Sequence, residues 1–172
     1  EVQLAAKIQT ENGNSASPSK QKLSNLLKLY QNGQFSDAEK LAVLITQDFP
    51  EHQFAWKVLG AVLKQTGRVT DSLTALQKSV KLASQDAEAH NNLGVTLKEL
   101  GRLDKAEASL RQAIALKPAY AEAHSNLGIT LKELGRFDEA LDSYNQAIVL
   151  KPNFAEAYVN LSYAIKNVKF NS

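Results

Sequence analysis

The amino-acid sequence predicts an all-α fold in which helix hairpins stack on one another. The main observation is an internal repeat: residues 87–106 read AEAHNNLGVTLKELGRLDKA, and residues 121–140 read AEAHSNLGITLKELGRFDEA. Blocks that begin at residues 19, 53, 87, 121 and 155 align at this constant spacing of 34 residues without a gap. Within the blocks, apolar residues recur at the intervals of an amphipathic helix. Such repeats are typical of solenoids, in which every unit buries its apolar surface against the next.

Each complete unit contains two helical stripes separated by a glycine. In the third unit the first stripe consists of His90, Leu93, Gly94 and Leu97, and Gly101 follows it. A glycine at this place suits a helix C-cap, where a positive φ is often needed. The equivalent glycines of the other complete units are Gly33, Gly67 and Gly135. The unit is therefore predicted to be a helix, a short glycine turn and a second helix.

The second helix has its own start and stop signals. Candidate N-cap residues stand three positions after each glycine, and they are Ser36, Thr70, Asp104 and Asp138. Glu39 and Glu107 stand three positions beyond two of these residues, which predicts capping boxes. A proline closes three of the four complete units, at Pro50, Pro118 and Pro152.

The repeat register divides the chain into two parts. Residues 1–18 lie outside the register and have the Asn, Gly, Ser and Pro content of a linker, although residues 2–9 could form a short helix. Residues 19–172 form the repeat domain, with complete units at 19–52, 53–86, 87–120 and 121–154. A final helix is expected over 155–168, without a partner helix.

Composition excludes several classes of function. The net charge of +2 gives no strong attraction to nucleic acid or to an anionic membrane. The sequence has no cysteine, which removes disulfides, thiolate catalysis and zinc–thiolate sites. No apolar run reaches the length of about 18 residues that a transmembrane helix requires, and the N-terminus lacks the apolar core of a secretory signal. We therefore expect a cytoplasmic protein.

The repeated residues resemble the tetratricopeptide repeat (TPR) family, whose unit is also 34 residues long. The fourth unit carries the family pattern at His124, Leu127, Gly128, Leu131, Gly135, Ala140, Tyr144, Ala147 and Pro152. The first unit departs most, with Lys22, Asn25 and Leu26 in place of the large residue and Leu-Gly. The resemblance implies a right-handed superhelix whose first helices line a concave inner groove.

Polar residues recur on the stripe of each first helix that should face this groove. They are Asn92, Asn126 and Asn160 at the sixth position of the unit, and Lys64, Lys98, Lys132 and Lys166 at the twelfth. An asparagine amide complements a peptide bond, and the lysines could contact carboxylates or a phosphate. The asparagines resemble those of the TPR region of O-linked N-acetylglucosamine transferases. The alternative is that duplicated units carry these residues as solvated surface.

Other candidate sites are weaker. His90 and His124 are one unit apart, but they occupy the aromatic position held by Trp56 and Tyr158 in other units, so we interpret them as packing residues rather than metal ligands. The sequence contains no catalytic or phosphate-binding motif. Lysines alternate with glutamates and few aromatics face the groove, which argues against nucleic acid. We expect neither a catalytic site nor a cofactor.

The sequence thus predicts a non-catalytic module that binds a protein or peptide in its groove. Two alternatives remain open at this point. The chain could be the substrate-recruiting N-terminal region of a larger glycosyltransferase or methyltransferase, because TPR arrays are frequently fused to such domains. It could also be a self-assembling scaffold, a homo-oligomer formed through its end helices or its N-terminal tail.

Overall fold

The computed structural model describes residues 17–170, so the short helix considered for residues 2–9 lies outside the described residues. The described residues fold into nine α-helices joined by short turns. These are α1 (Lys20–Gln31), α2 (Phe35–Asp48), α3 (Gln53–Gln65), α4 (Val69–Leu82), α5 (Ala87–Glu99), α6 (Leu103–Leu116), α7 (Ala121–Glu133), α8 (Phe137–Leu150) and α9 (Ala155–Phe170). None of them is both long and apolar enough to cross a membrane.

The glycine turn between the two helices of a unit adopts the predicted left-handed conformation. Gly67 has a φ of 79°, and the corresponding glycines of the other three units are also positive. The Gly67 N–H donates to the Lys64 carbonyl at 3.0 Å, and the next N–H, from Arg68, donates to the Leu63 carbonyl at 2.8 Å. These bonds satisfy carbonyls at the end of α3 that would otherwise lack a partner.

The predicted N-caps of the second helices are wrong. The helices begin two residues after each glycine, and the N-cap residues are Gln34, Arg68, Arg102 and Arg136. One residue after the glycine completes the turn, so Ser36, Thr70, Asp104 and Asp138 fall inside the first helical turn. The capping boxes are therefore also absent. Instead, Glu107 accepts a hydrogen bond from Arg136 of the next unit at 2.7 Å, and Glu39 likewise binds Arg68.

The two helices of a unit approach closely because one of them carries a glycine at the contact. A Cβ atom added at Gly94 would lie 2.6 Å from Cγ of Leu110, well inside normal contact distance. In the first unit the large and the small residue of this contact are exchanged between the two helices. There Leu26 stands at the glycine position, small Ala42 stands at the leucine position, and both are fully buried.

The curvature of the stack follows from which helices touch. Within residues 17–170, Cα atoms of each first helix lie within 8 Å of the first helix of the next unit, whereas no Cα atoms of consecutive second helices come this close. The first helices α1, α3, α5, α7 and α9 are therefore closer together and form the concave wall. We call this wall the groove.

Candidate functional site

The groove is organised in columns, each made of residues that stand at the same position on successive first helices. The asparagine column consists of Asn92, Asn126 and Asn160, and the lysine column consists of Lys64, Lys98, Lys132 and Lys166. Asn92 and Lys98 are six residues apart on α5, so the two columns are separated by about 9 Å along the helix axis.

One member of the asparagine column is held by a neighbouring unit. Asn126 Nδ2 donates a hydrogen bond of 2.9 Å to Oδ1 of Asn91, which lies on α5 and is only 7% exposed. This bond orients the Asn126 amide and leaves its Oδ1 and its second N–H for other partners. Sequence reasoning missed Asn91, because it considered only the asparagines that recur at one position.

The other two asparagines have half-buried side chains, and neither makes a side-chain hydrogen bond within residues 17–170. For Asn160 the reason lies in the preceding unit. Ser125 stands on α7 at the position equivalent to Asn91, and its shorter side chain leaves Oγ buried without a hydrogen-bond partner. The asparagine column therefore presents one oriented amide between two amides that have no partner in the described part of the chain.

The lysine column is mostly open to ligands. Lys98 Nζ lies 3.9 Å from Oε1 of Glu133, beyond hydrogen-bonding distance, and Lys166 Nζ lies 5.9 Å from the centre of the Tyr163 ring. Lys64 and Lys132 form no ion pair with any residue that the structure describes. Three of the four side chains are half-buried, which is consistent with aliphatic stems packed on the wall and ammonium groups in solvent.

A lysine at a different position bridges two carboxylates at the opposite edge of the groove. Lys57 on α3 donates from Nζ to Oδ2 of Asp86 at 2.8 Å and to Oε2 of Glu88 at 3.0 Å. Burial alone would lower the pKa of Lys57, but the hydrogen bonds from its ammonium group to these two carboxylates raise it above its usual value. Gln53 Nε2 also donates to Asp86, at 2.8 Å. Sequence analysis did not single out this cluster.

In the next unit a different lysine pairs with the acidic residue at this edge. Lys151 donates to Oε1 of Glu122 at 2.9 Å, and this hydrogen bond lowers the pKa of the Glu122 carboxyl. Tyr120 lies among these acidic groups. Burial, with the negative charges of Glu88 and Glu122, raises the pKa of Tyr120 to about 12, so the phenol stays neutral at physiological pH.

The two repeated histidines bond to the backbone at the position that Trp56 holds in another unit. His90 Nε2–H donates to the Ser84 carbonyl and His124 Nε2–H donates to the Pro118 carbonyl, both at 3.0 Å. Trp56 makes the same bond six residues back, to Pro50, at 2.8 Å. The described residues contain no cluster of three or more side chains that could hold a metal ion.

Comparison with known families agrees with the geometry. A family model described as tetratricopeptide repeat matches residues 121–154, and one described as TPR repeat matches residues 60–101 and 96–135. Together they cover residues 60–154, more than half of the chain. No curated protein sequence gives a significant match.

Solved structures share the architecture. A crystal structure of MamA protein matches with a TM-score of 0.75 and 26% identity, over 88% of this chain and 85% of that chain. TTC0263, a thermophilic TPR protein in Thermus thermophilus, matches with a TM-score of 0.71 and 23% identity, over 93% and 86%. The first TPR of Spaghetti (RPAP3), bound to HSP90 peptide SRMEEVD, matches with a TM-score of 0.66 and 21% identity, over 68% and 93%. The predicted fold class, an all-α right-handed superhelix of helix hairpins, is confirmed.

Proposed function

Because the chain belongs to the tetratricopeptide repeat family, we propose that it is a non-catalytic protein-interaction module that binds an extended peptide or protein segment in its groove. One observation carries the proposal. The concave wall presents three amides at a regular spacing, and one of them, Asn126, is already oriented by Asn91. Orienting a group before binding reduces the entropy that is lost when the ligand is bound.

The asparagine column suits the backbone of the ligand rather than its side chains. Each amide offers a donor and an acceptor, which match the C=O and N–H of a peptide group. The resemblance to the asparagines of O-linked N-acetylglucosamine transferases supports the same mode of binding. Each such hydrogen bond contributes about 1 kcal/mol. One bond from each of the three asparagines therefore changes the affinity for the ligand by about a hundredfold.

The lysine column adds a preference for negative charge. The ammonium groups of Lys64 and Lys132 have no ion pair in the described part of the chain, and Glu88 and Glu122 on the other edge are already paired. The structural neighbour from Spaghetti, whose ligand SRMEEVD is rich in carboxylates, shows that this fold can hold such a peptide. The interspersed Glu99 and Glu133 make a nucleic-acid backbone a poor ligand.

The test is selection of ligands from a displayed peptide library by the wild-type chain and by two triple variants. In the groove variant, Asn92, Asn126 and Asn160 are replaced by Ala. In the control variant, three exposed amides on second helices are replaced by Ala, and these are Gln77, Gln112 and Asn145. The control loses as many amides from the molecule but none from the groove.

We expect the wild-type chain and the control to enrich the same peptides, and the groove variant to bind these peptides about a hundredfold more weakly in fluorescence anisotropy. Circular dichroism melting must first show that both variants are folded. Equal binding by the groove variant and the wild-type chain would place recognition outside the asparagine column. A library from which nothing is enriched would refute the peptide-binding function.

A further inference from the structure

The spacing of the columns restricts the conformation of the ligand. Consecutive first helices are in direct contact, since the side chains of Asn91 and Asn126 meet at 2.9 Å across α5 and α7. The axes of helices in contact are about 8–10 Å apart. Every column of the groove therefore repeats at about this interval, and a ligand that lies along the groove meets the next member of each column when it advances by one unit.

A regular β-strand does not match this interval. A strand advances by about 3.3 Å per residue, and its side chains return to the same side after two residues, or about 6.6 Å. Three residues cover about 10 Å, but they turn the side chain away from the wall. A polyproline II segment has three residues per turn and a rise of about 3.1 Å, so it presents the same face every 9.3 Å or so. Its backbone groups are also free to bond to the asparagine column, because this helix has no internal hydrogen bonds.

The charges of the groove indicate which side chain the ligand repeats. At neutral pH the lysine column carries four positive charges, and the nearby Glu99 and Glu133 carry two negative ones. On the opposite edge, Lys57 is shared between Asp86 and Glu88, and Lys151 pairs with Glu122, so these groups keep a net negative charge. The lysine edge thus has a net positive charge, and a carboxylate at every third residue of the ligand would meet each lysine in turn.

An apolar column lies between the asparagine and lysine columns. At the ninth position of the second to fifth units stand Ala61, Val95, Ile129 and Tyr163. The first three are half-buried, and the side chains become larger from Ala61 towards Tyr163. Leu27 stands at this position in the first unit, so the column is apolar in all five units, and small or apolar residues suit the places between the acidic side chains of the ligand.

We propose that the groove selects a peptide segment in the polyproline II conformation that carries an acidic side chain at every third residue and small or apolar residues between them. This inference rests on the proposed function, and it specifies the chemistry and the periodicity of the ligand. The period of three residues arises from the contact distance between first helices, and the acidic preference arises from the lysine column.

The test compares two synthetic peptides of identical composition, with acetylated N-termini and amidated C-termini so that terminal charges play no part. One, EAPEAPEAPEAP, places glutamate at every third residue, and the other, EEAAPPEEAAPP, groups the same residues in pairs. Circular dichroism confirms that both have a similar polyproline II content. A length of 12 residues spans about 37 Å in this conformation, which is enough to meet all four lysines.

The chain is measured as wild type and as two double variants of equal net charge. The groove variant carries Lys98→Gln and Lys132→Gln, and the control carries Lys81→Gln and Lys105→Gln, which remove exposed lysines from second helices. By fluorescence anisotropy at low ionic strength, we expect the period-three peptide to bind the wild type at least about tenfold more tightly than the grouped peptide. The groove variant should lose this difference, and the control should keep it.

Equal affinities of the two peptides for the wild type would overturn the inference, as would an equal loss in both lysine variants. If neither synthetic peptide binds but library-selected peptides still depend on Asn92, Asn126 and Asn160, the inference fails and the proposed function stands. If the library also yields no peptide that binds, both are refuted.

Discussion

The substitution Asp86→Asn tests the polar cluster that joins the second and third units at the edge of the groove. Asp86 uses both of its carboxylate oxygens. Oδ1 caps α5 by accepting from the Ala89 N–H at 3.0 Å, and Oδ2 accepts from Lys57 and Gln53, each at 2.8 Å. An asparagine has nearly the same shape, but it has a single oxygen. Its NH₂ group must therefore face at least one of these donors.

The structure sets the expected size of the effect. The Asp86 and Lys57 side chains are 19% and 16% exposed, so water replaces the lost bond poorly. A hydrogen bond that involves a charged group contributes about 1.5–3 kcal/mol. Lys57 keeps its contact with Glu88 and is not left as an isolated buried charge. We therefore expect the free energy of unfolding to fall by about 2 kcal/mol at pH 7, with a Tm lower by roughly 4–8 °C.

The pH dependence of the stability difference shows whether the Asp86 carboxylate causes it. Burial alone would raise the pKa of Asp86, but the hydrogen bonds from Lys57 and the Ala89 N–H hold it below its usual value. A carboxyl whose pKa is lower in the folded state than in the unfolded state, where it is about 3.9, stabilises the fold above that pH. This stabilisation is lost as the pH falls through the folded-state pKa. The difference between wild type and variant should thus be full at pH 7 and shrink below about pH 4.

The assay is urea unfolding followed by circular dichroism at neutral and acid pH. Asp104→Asn is a matched control, because Asp104 is exposed in the first turn of α6 and should contribute only a few tenths of a kcal/mol through the helix dipole. If Asp86→Asn costs no more than the control, or if its cost persists unchanged in acid, the account of the cluster is wrong.

Three further outcomes are expected. Gly128→Ala should destabilise the chain by about 1–2 kcal/mol in urea unfolding, since the new Cβ would lie 2.5 Å from the buried Tyr144 ring and overpacking exceeds the gain in helix propensity; a more stable variant would contradict this. Asn91→Ala should weaken library-selected peptides several-fold in fluorescence anisotropy, because Asn126 loses its orienting bond, and an unchanged Kd would refute that role. His124→Phe should lower the free energy of unfolding by about 1 kcal/mol, whereas His124→Trp should not. Of these two residues only tryptophan keeps a ring N–H that can donate to the carbonyl six residues upstream. Equal stability of the two variants would contradict this.

The features of the fold that repeat could be predicted from the sequence. A glycine that recurs every 34 residues between two apolar stripes indicates a positive φ, and Gly67 and its equivalents have one. Aligning the units placed His90 and His124 at the position of Trp56, and all three side chains bond to the carbonyl six residues upstream. The N-caps were missed for a local reason. Asp104 is a better capping residue than Arg102, but the geometry of the glycine turn, rather than capping strength, decides where the helix begins.

Contacts between units were harder to predict, because they join residues that are far apart in the sequence. Lys57 and Asp86 are 29 residues apart, Gln53 and Asp86 are 33 apart, and Asn91 and Asn126 are 35 apart. These separations lie close to one repeat length. Polar residues separated by about one repeat length are therefore candidates for contacts between units. An alignment of the units compares only equivalent positions, so it does not reveal partners that stand at different positions of their units.

The differences between units, rather than their similarity, give the groove a direction. At the fifth position of the five units stand Leu23, Lys57, Asn91, Ser125 and Val159, so this position of the wall differs in every unit. A groove of identical units would bind a periodic ligand equally well in several registers, each shifted by one unit. Here a shift by one unit moves each ligand residue into a different environment, as with Asn91, which orients an amide in the next unit where Ser125 does not. The repeated columns therefore favour a ligand with a matching period, and the fifth position, which varies between units, favours a single register of that ligand.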